Sequence, residues 1–238
     1  MTTPRILPAA AWADTVAADL AERLRANPAL RVCLPTGATP VPVYEALVGL
    51  ARRDEVSFAG ATVVLLDEWV GLPPGDPARC DTRLRAQLLD RLPVPPAAVH
   101  LIDVDAADLD VAVARHAAVA ADLDLAVLGL GMNGHVGFNE PGSFADSPTR
   151  IIRLAASSRE AAMARYGAAS VPTGGITLGM DRILAAREVW LLVTGARKAA
   201  ILRRALRDPE GPDCPASYLR RHPNLGVIVD LEAAALLS

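Results

Sequence analysis

The feature that most constrains the fold is a regular alternation of short apolar segments with amphipathic ones. The apolar segments are almost uninterrupted by charge, and they cover residues 31–34, 61–66, 123–130, 188–193 and 225–229. Strands that are apolar throughout and separated by helices are typical of a parallel sheet covered on both faces. No linker, repeat or low-complexity tract divides the chain. The sequence therefore predicts one α/β domain over residues 1–238, with a mostly parallel sheet and helices on both faces.

The remaining segments are assigned by periodicity and by turn residues. Helices are predicted over residues 11–26, 41–53, 82–91, 106–121, 157–168, 176–185, 197–207, 216–221 and 231–237, and a short strand over 99–102. Because crossover connections in such sheets are right-handed, the carboxyl ends of the parallel strands lie at one edge. That edge is where an open parallel sheet binds its ligands.

Charge and cysteine usage exclude several classes of protein. The chain has 24 basic and 27 acidic residues, a net charge of −3, which lacks the basic surplus of a nucleic-acid binder. Its three cysteines lie far apart, which argues against a disulfide framework or a zinc site. No signal peptide and no apolar run of about 18 residues is found. We therefore expect a cytoplasmic protein with no nucleic-acid, membrane or metal partner.

Polar clusters follow four of the predicted strands directly. They are LPTGATP from residue 34, LDEW from residue 66, GLGMNGHVGFNEPGS from residue 129 and TGARK from residue 194. Four clusters at four neighbouring strand ends are what one shared pocket would produce. This convergence is the strongest functional signal in the residues themselves.

The first and fourth clusters predict an anion site. Thr36, Gly37, Ala38 and Thr39 precede a helix, whose N-terminus offers free N–H groups and a positive dipole end. Lys198 begins a later helix, where a cation opposes the dipole. Its placement is explained if it serves a phosphate, and it is the single Lys beside 23 Arg. The competing interpretation is an ordinary turn with a Thr cap, together with a solvated surface Lys.

The second and third clusters predict acid–base chemistry. Asp67 and Glu68 end a buried strand, where repulsion and lost hydration raise the pKa of one of them. Alternatively, Glu68 is an ion-pair partner or helix cap. In the third cluster, Glu140 can hydrogen-bond His135 and fix its tautomer, with Asn133 beside them. The same loop matches the dinucleotide pattern G-x-G-x-x-G, but Pro141 and the glycines around it prevent the helix that the pattern requires.

The clusters together resemble the glucosamine-6-phosphate deaminases, within the superfamily that also contains the 6-phosphogluconolactonases. The resemblance lies in PTGATP, LDEWVGLP, LGLGMNGHVGFNEPGS, AMARY, VPTGGITLGM, GARKA and ASYLRRHP, in this order, and it covers most of the chain. The lactonases share a Gly-x-x-Gly-His loop but lack the Phe-Asn-Glu-Pro continuation. The resemblance implies a Rossmann-like fold.

The resemblance also implies the reaction and the residues that carry it. Glucosamine 6-phosphate and water would give fructose 6-phosphate and ammonia without a cofactor, as in amino-sugar catabolism. It implies that His135 opens the sugar ring, that Asp67 moves a proton between C2 and C1, and that Asn133 and Glu140 orient the imidazole. For the phosphate, the resemblance implies Thr36, Gly37, Ala38, Thr39, Arg165 and Lys198 as ligands.

Two departures from the family pattern bear on assembly and on substrate choice. Ile152 stands where allosteric hexameric members carry Lys, so a monomer or a small homo-oligomer is expected. The segment after Leu72 lacks the usual Ser-Tyr pattern, which leaves galactosamine 6-phosphate open as the substrate. Two further functions also stay open: a lactonase that uses His135 to activate water, and a silent sugar-phosphate sensor.

Overall fold

The protein is described by a computed structural model that covers residues 3–166 and 174–237. In these residues the strands are β1 (Arg5–Leu7), β2 (Arg31–Leu34), β3 (Thr62–Leu65), β4 (Asp67–Val70), β5 (Ala98–His100), β6 (Leu125–Gly129), β7 (Arg150–Arg153), β8 (Gly174–Thr177), β9 (Glu188–Val193) and β10 (Leu225–Asp230). The helices are α1 (Ala9–Ala26), α2 (Val41–Arg52), α3 (Cys80–Gln87), α4 (Leu109–Val119), α5 (Ala156–Tyr166), α6 (Met180–Ala185) and α7 (Ala199–Arg207).

Seven of these strands form one parallel sheet in the order β1-β10-β9-β6-β2-β3-β5. The chain first forms β1 at one edge, passes to the middle at β2, adds β3 and β5 on one side of it, and then adds β6, β9 and β10 on the other, which leads back to β1. The order therefore reverses between β2 and β6, which is where a sheet of this kind opens a crevice for ligands. The predicted fold class, a mostly parallel sheet with helices on both faces, is confirmed.

Successive residues of the central strands face opposite sides of the sheet and enter two separate cores. In β2, Val32 and Leu34 pack with α1 and α2, whereas Cys33 packs with α6 and α7. All three side chains are fully buried. Because each buried Val or Leu contributes about 1.5–3 kcal/mol, strands that are apolar on both faces fix the sheet firmly.

A second, antiparallel sheet of three strands lies in the order β4-β8-β7. It explains one wrong prediction, because the segment 176–185 begins in strand β8 and becomes helical only at Met180. Gly175 lets this strand approach Phe138 closely, since a Cβ there would lie 2.7 Å from the ring. The sequence pattern does not predict strands β1, β4 and β7.

Two further helix predictions need correction. Residues 231–236 form turns rather than an α-helix, because the backbone closes in three-residue steps, with Ala235 N–H donating to Glu232 O at 3.3 Å and Leu237 N–H to Ala234 O at 2.9 Å. The segment 82–91 divides into α3 and a 3₁₀ turn, Leu89–Arg91. The segment 157–168 is helical to Tyr166, and residues 167 and 168 lie outside the described residues. No helix in the described part of the chain is long and apolar enough to cross a membrane.

Candidate active site

The four polar clusters meet at one cavity of about 1180 Å³. They follow β9, β6, β2 and β3, which are consecutive neighbours in the sheet. Each cluster contributes to the wall of the cavity, through residues 36–39, Asp67, residues 129–133 with His135, and residues 194–198. The convergence predicted from strand order is thus present in the structure.

The loop of residues 36–39 leads from β2 into α2. Gly37 adopts a φ of +125°, a conformation that a side chain would strain. The start of the loop is fixed by buried Tyr44, whose hydroxyl donates to the carbonyl of Pro35 at 2.6 Å. The loop therefore presents the first turn of α2 to the cavity, and helix N-termini are suited to bind anions.

Lys198 reaches the cavity from the opposite side. It is the last residue of the 3₁₀ turn Ala196–Lys198, just before α7, and its Nζ donates to the carbonyl of Leu130. The turn is held by Asp230, whose carboxylate accepts the N–H of Gly195 at 2.9 Å. The ammonium thus lies between the loops that follow β6 and β9.

Arg165, the other basic residue implied for phosphate binding, belongs to α5, but its side chain lies outside the described part of the structure. Its role stays a prediction. Arg197, the residue before Lys198 in the sequence, also lines the cavity.

Asp67 and Glu68 are adjacent on β4 and face opposite ways. Asp67 lines the cavity and is 7% exposed, and burial raises its pKa to about 6 against the lowering influence of His135, Cys80 and Arg83. A carboxylate with such a pKa suits proton transfer near neutral pH.

Glu68 is fully buried and caps α3. Its carboxylate accepts the N–H of Cys80 at 2.9 Å and of Asp81 at 2.7 Å, as well as that of Trp69. Burial raises the pKa of Glu68 to about 7, although the backbone hydrogen bonds oppose this. Each of the two interpretations of the motif therefore holds for one residue: Asp67 faces the cavity, where a proton carrier would lie, and Glu68 is the helix cap.

His135 and Glu140 are in contact, as their spacing predicted. The imidazole Nδ1 lies 3.1 Å from Oε2 of Glu140, which also accepts from Asn133 Nδ2 at 2.8 Å. Burial disfavours the Glu140 carboxylate, but hydrogen bonds from His135, Ser158 and Asn133 outweigh it and lower the pKa of Glu140. Because an ionised carboxylate only accepts, Nδ1 carries the proton and Nε2 keeps a lone pair for chemistry.

The glycines around His135 leave room for this arrangement. A Cβ on Gly131 would lie 2.1 Å from Cδ2 and 2.2 Å from Nε2 of the imidazole. Gly134 has a φ of +91°, and a Cβ there would lie 2.6 Å from the sulfur of Cys214. No helix follows Gly134, where the chain instead turns back through a bridge between Val136 and Asn139, so the dinucleotide pattern is coincidental.

Buried polar residues hold the loop from behind. Asn139 is fully buried and donates to the carbonyls of Leu178 at 2.8 Å and Val136 at 3.1 Å. Its own carbonyl accepts from Arg150 at 3.0 Å. Sequence reasoning did not assign Asn139 a role, although its position beside Glu140 in a buried loop was the available signal.

Two further polar residues of the site were also missed. Arg83 lines the cavity and donates to the carbonyl of Gly37 at 3.2 Å. Ser158, on α5, lies with its hydroxyl 3.3 Å from Nδ1 of His135. Neither stands at a strand end, so only the packing of their helices brings them to the cavity. Within residues 3–166 and 174–237, no cluster of three or more His, Cys, Asp or Glu side chains could hold a metal ion.

Comparison with known proteins agrees with this geometry. Residues 7–227 match the family model of glucosamine-6-phosphate isomerases and 6-phosphogluconolactonases. A glucosamine-6-phosphate deaminase of Rhodopirellula baltica is 39% identical over 227 residues, 93% of this chain and 90% of that one. One of Pseudarthrobacter chlorophenolicus is 42% identical over 228 residues, 93% and 87% of the two chains.

Solved structures show the same similarity. A monomeric glucosamine-6-phosphate deaminase superposes with a TM-score of 0.94 at 30% identity, covering 99% of this chain and 100% of that one. A 6-phosphogluconolactonase of Thermotoga maritima gives a TM-score of 0.76 at 22% identity, over 97% and 100% of the two chains. The second likeness concerns the fold alone.

Proposed function

The chain belongs to the family of glucosamine-6-phosphate isomerases and 6-phosphogluconolactonases, and from this membership we propose that it is an enzyme that deaminates glucosamine 6-phosphate. Water is consumed, and fructose 6-phosphate and ammonia are released. The observation that carries the proposal is the presence of two separate proton-transfer groups in one cavity. They are Asp67 and the His135–Glu140 pair.

Binding energy comes from the phosphate, which is held far from the reacting carbons. Thr36, Gly37, Ala38 and Thr39 offer hydroxyl and N–H groups at the start of α2, and Lys198 supplies a positive charge from the opposite wall. Arg165 is the further phosphate ligand that the family resemblance implies. Fixing the phosphate places C1 and C2 against the acid–base groups, and such positioning lowers the barrier of the steps that follow.

His135 opens the sugar ring. Its Nε2 takes the proton of the C1 hydroxyl and returns a proton to the ring oxygen, which leaves an aldehyde at C1. The Glu140 carboxylate holds Nδ1–H throughout and stabilises the imidazolium that forms in between. Asn133 keeps that carboxylate in place through its amide.

Asp67 then isomerises the open-chain sugar. The carboxylate removes the proton from C2 while the C1 oxygen takes up a proton from water, which gives an enolamine, and Asp67 then delivers its proton to C1. The product is an imine at C2, to which water adds before ammonia leaves. These steps need a base that is distinct from the ring-opening group and partly ionised near neutral pH, and the raised pKa of Asp67 supports that role.

Lactone hydrolysis needs one base to activate water, so a second proton-transfer group in the cavity would have no role in that reaction. An ammonia-release assay, run beside a lactone-hydrolysis assay, tests the proposal on glucosamine 6-phosphate, galactosamine 6-phosphate and 6-phosphogluconolactone. We expect ammonia from the first, and with glucosamine 6-phosphate deuterated at C2 we expect part of the deuterium at C1 of the fructose 6-phosphate. Lactone hydrolysis without ammonia release would refute the proposal, and a preference for galactosamine 6-phosphate would correct the epimer.

We further infer that one domain over residues 1–238 suffices for this activity, as a monomer or a small homo-oligomer in the cytoplasm, with no nucleic-acid or membrane partner. The solved deaminase with a TM-score of 0.94 is described as monomeric, which supports this. Sedimentation equilibrium of the purified chain measures the mass directly.

A further inference from the structure

Arg83 occupies a position between the two ends of the proposed substrate site. Its Nη2 donates to the carbonyl of Gly37 at 3.2 Å, and its side chain lines the same cavity as Asp67. It lies on α3 three residues after Cys80, so both side chains project from one face of the helix, and both line the cavity. One side chain thus links the anion-binding loop to the wall that carries the base.

The helix that carries Arg83 is fixed to the strand that carries Asp67. Glu68, the next residue along β4, accepts the first N–H groups of α3 at 2.9 and 2.7 Å. At the same end of the helix, Arg79 is 3% exposed and pairs with Asp105 at 2.8 Å. The helix of Arg83 and the strand of Asp67 are therefore joined directly by hydrogen bonds.

A positive charge nearby favours the ionised form of the buried Asp67 carboxylate. Burial opposes its ionised form, and the groups that act on it come from four directions. They are His135 from the loop after β6, Cys80 and Arg83 from α3, Cys33 from β2 and Tyr44 from α2.

Most of these groups cannot supply a lasting charge. Burial raises the pKa of both thiols and of the Tyr44 hydroxyl well above their ordinary values, so all three stay neutral. His135 gains and loses a proton during the proposed ring opening, so its charge varies through the cycle. Of the groups described around Asp67, Arg83 is the one whose positive charge is permanent.

We propose that Arg83 is a positioning residue for the Asp67 base: its guanidinium, held on the carbonyl of Gly37, places a permanent positive charge on the cavity wall that Asp67 also lines. The inference rests on the proposed function, because it assigns Asp67 the isomerisation step.

The test compares three variants of the whole protein. Arg83→Met removes the charge but keeps much of the bulk, and Arg83→Lys restores the charge without the planar fork. Arg85→Met is the matched control, because Arg85 lies on the same helix, is exposed, does not line the cavity and pairs loosely with Asp90 at 3.8 Å. For each variant, kcat and KM for ammonia release are measured from pH 5 to 9, together with the melting temperature.

We expect Arg83→Met to move the acidic limb of the kcat/KM profile to higher pH. The decrease in kcat/KM relative to the parent protein should be roughly tenfold larger at pH 5.5 than at pH 8, which is the effect expected when a carboxylate loses a neighbouring Arg. Arg83→Lys should bring the acidic limb most of the way back to its position in the parent protein, and Arg85→Met should leave the pH profile unchanged. A raised KM with an unmoved limb would overturn the proposal, since Arg83 would then bind substrate. An equal loss at every pH with a lower melting temperature would also overturn it.

A readout that does not use turnover separates this proposal from the proposed function. The carboxyl carbons of aspartate are labelled with ¹³C, and the Asp67 signal is assigned by its loss in Asp67→Asn. In Arg83→Met the Asp67 carboxyl should titrate at higher pH than in the parent protein. An unchanged titration refutes the role of Arg83, whereas a parent protein that releases no ammonia refutes the proposed function.

Discussion

The replacement Gly131→Ala tests how firmly the imidazole of His135 is held. A Cβ at this position would lie 2.1 Å from Cδ2, where ordinary contacts begin at 3.4 Å. The ring must therefore retreat by about 1.3 Å. Its Nδ1 is now 3.1 Å from Glu140 Oε2, so a displacement of that size spoils either the length or the angle of this hydrogen bond.

The expected loss of activity follows from that displacement. A reacting group that is misplaced by about 1 Å costs roughly 100-fold in rate, so kcat should fall by about that factor. The imidazole borders the cavity and can move into open space, so the melting temperature should change by no more than about 3 °C.

The assay is steady-state ammonia release with glucosamine 6-phosphate, together with thermal unfolding. Gly211→Ala serves as the control, because a Cβ there meets nothing within 4 Å. It should keep both activity and melting temperature. If Gly131→Ala keeps more than about a third of the parent kcat, the loop yields easily and the reasoning from contact distances is wrong.

Three further outcomes are expected. Asp67→Asn should abolish deamination, whereas the binding of fructose 6-phosphate, measured by calorimetry, should be largely kept. In the parent protein, kcat/KM should decrease as the pH is lowered past about 6, because burial places the pKa of Asp67 there. Lys198→Arg should raise KM about tenfold, because a guanidinium fork cannot replace a compact ammonium, whereas an unchanged KM would show that any cation serves. Burial lowers the pKa of His116 from 6.5 to about 4, so as pH falls through this window the unfolded chain takes up the proton first. The parent should therefore lose about 3 kcal/mol more than His116→Gln in urea unfolding between pH 7 and 4, and equal losses would contradict this.

Much of the parallel sheet could be predicted from the sequence because its strands are apolar on both faces. Residues 31–34 and 188–193 are strands with the predicted bounds. The antiparallel sheet was not recognised, because its strands carry charges or glycines. β4 begins with Asp67 and Glu68, and β7 begins and ends with Arg. Their pairing joins residues that are 104 to 110 positions apart between β4 and β8 and 21 to 27 apart between β7 and β8, which local patterns do not report.

The candidate site divides in the same way. Residues at strand ends, such as Asp67 and His135, were found because strand order alone brings them together. Arg83 and Ser158 lie on helices, where a polar residue signals nothing until the packing angle of the helix is known. The hydrogen bond between His135 and Glu140 was predictable because the loop is short and rich in glycine. That residues 1–238 suffice as one domain stays a prediction.

The opposite orientations of Asp67 and Glu68 restrict which insertions and deletions this protein can tolerate during evolution. One carboxylate faces the cavity and the other fastens α3, and only the alternation of β4 decides which does which. Insertion of a single residue just before β4 would move Asp67 to the place of the cap, and deletion of one would move Glu68 to the cavity, so either change removes one of the two functions while composition and charge stay almost unchanged. We therefore expect length changes between β3 and β4 to be far rarer among working descendants than substitutions at the same positions.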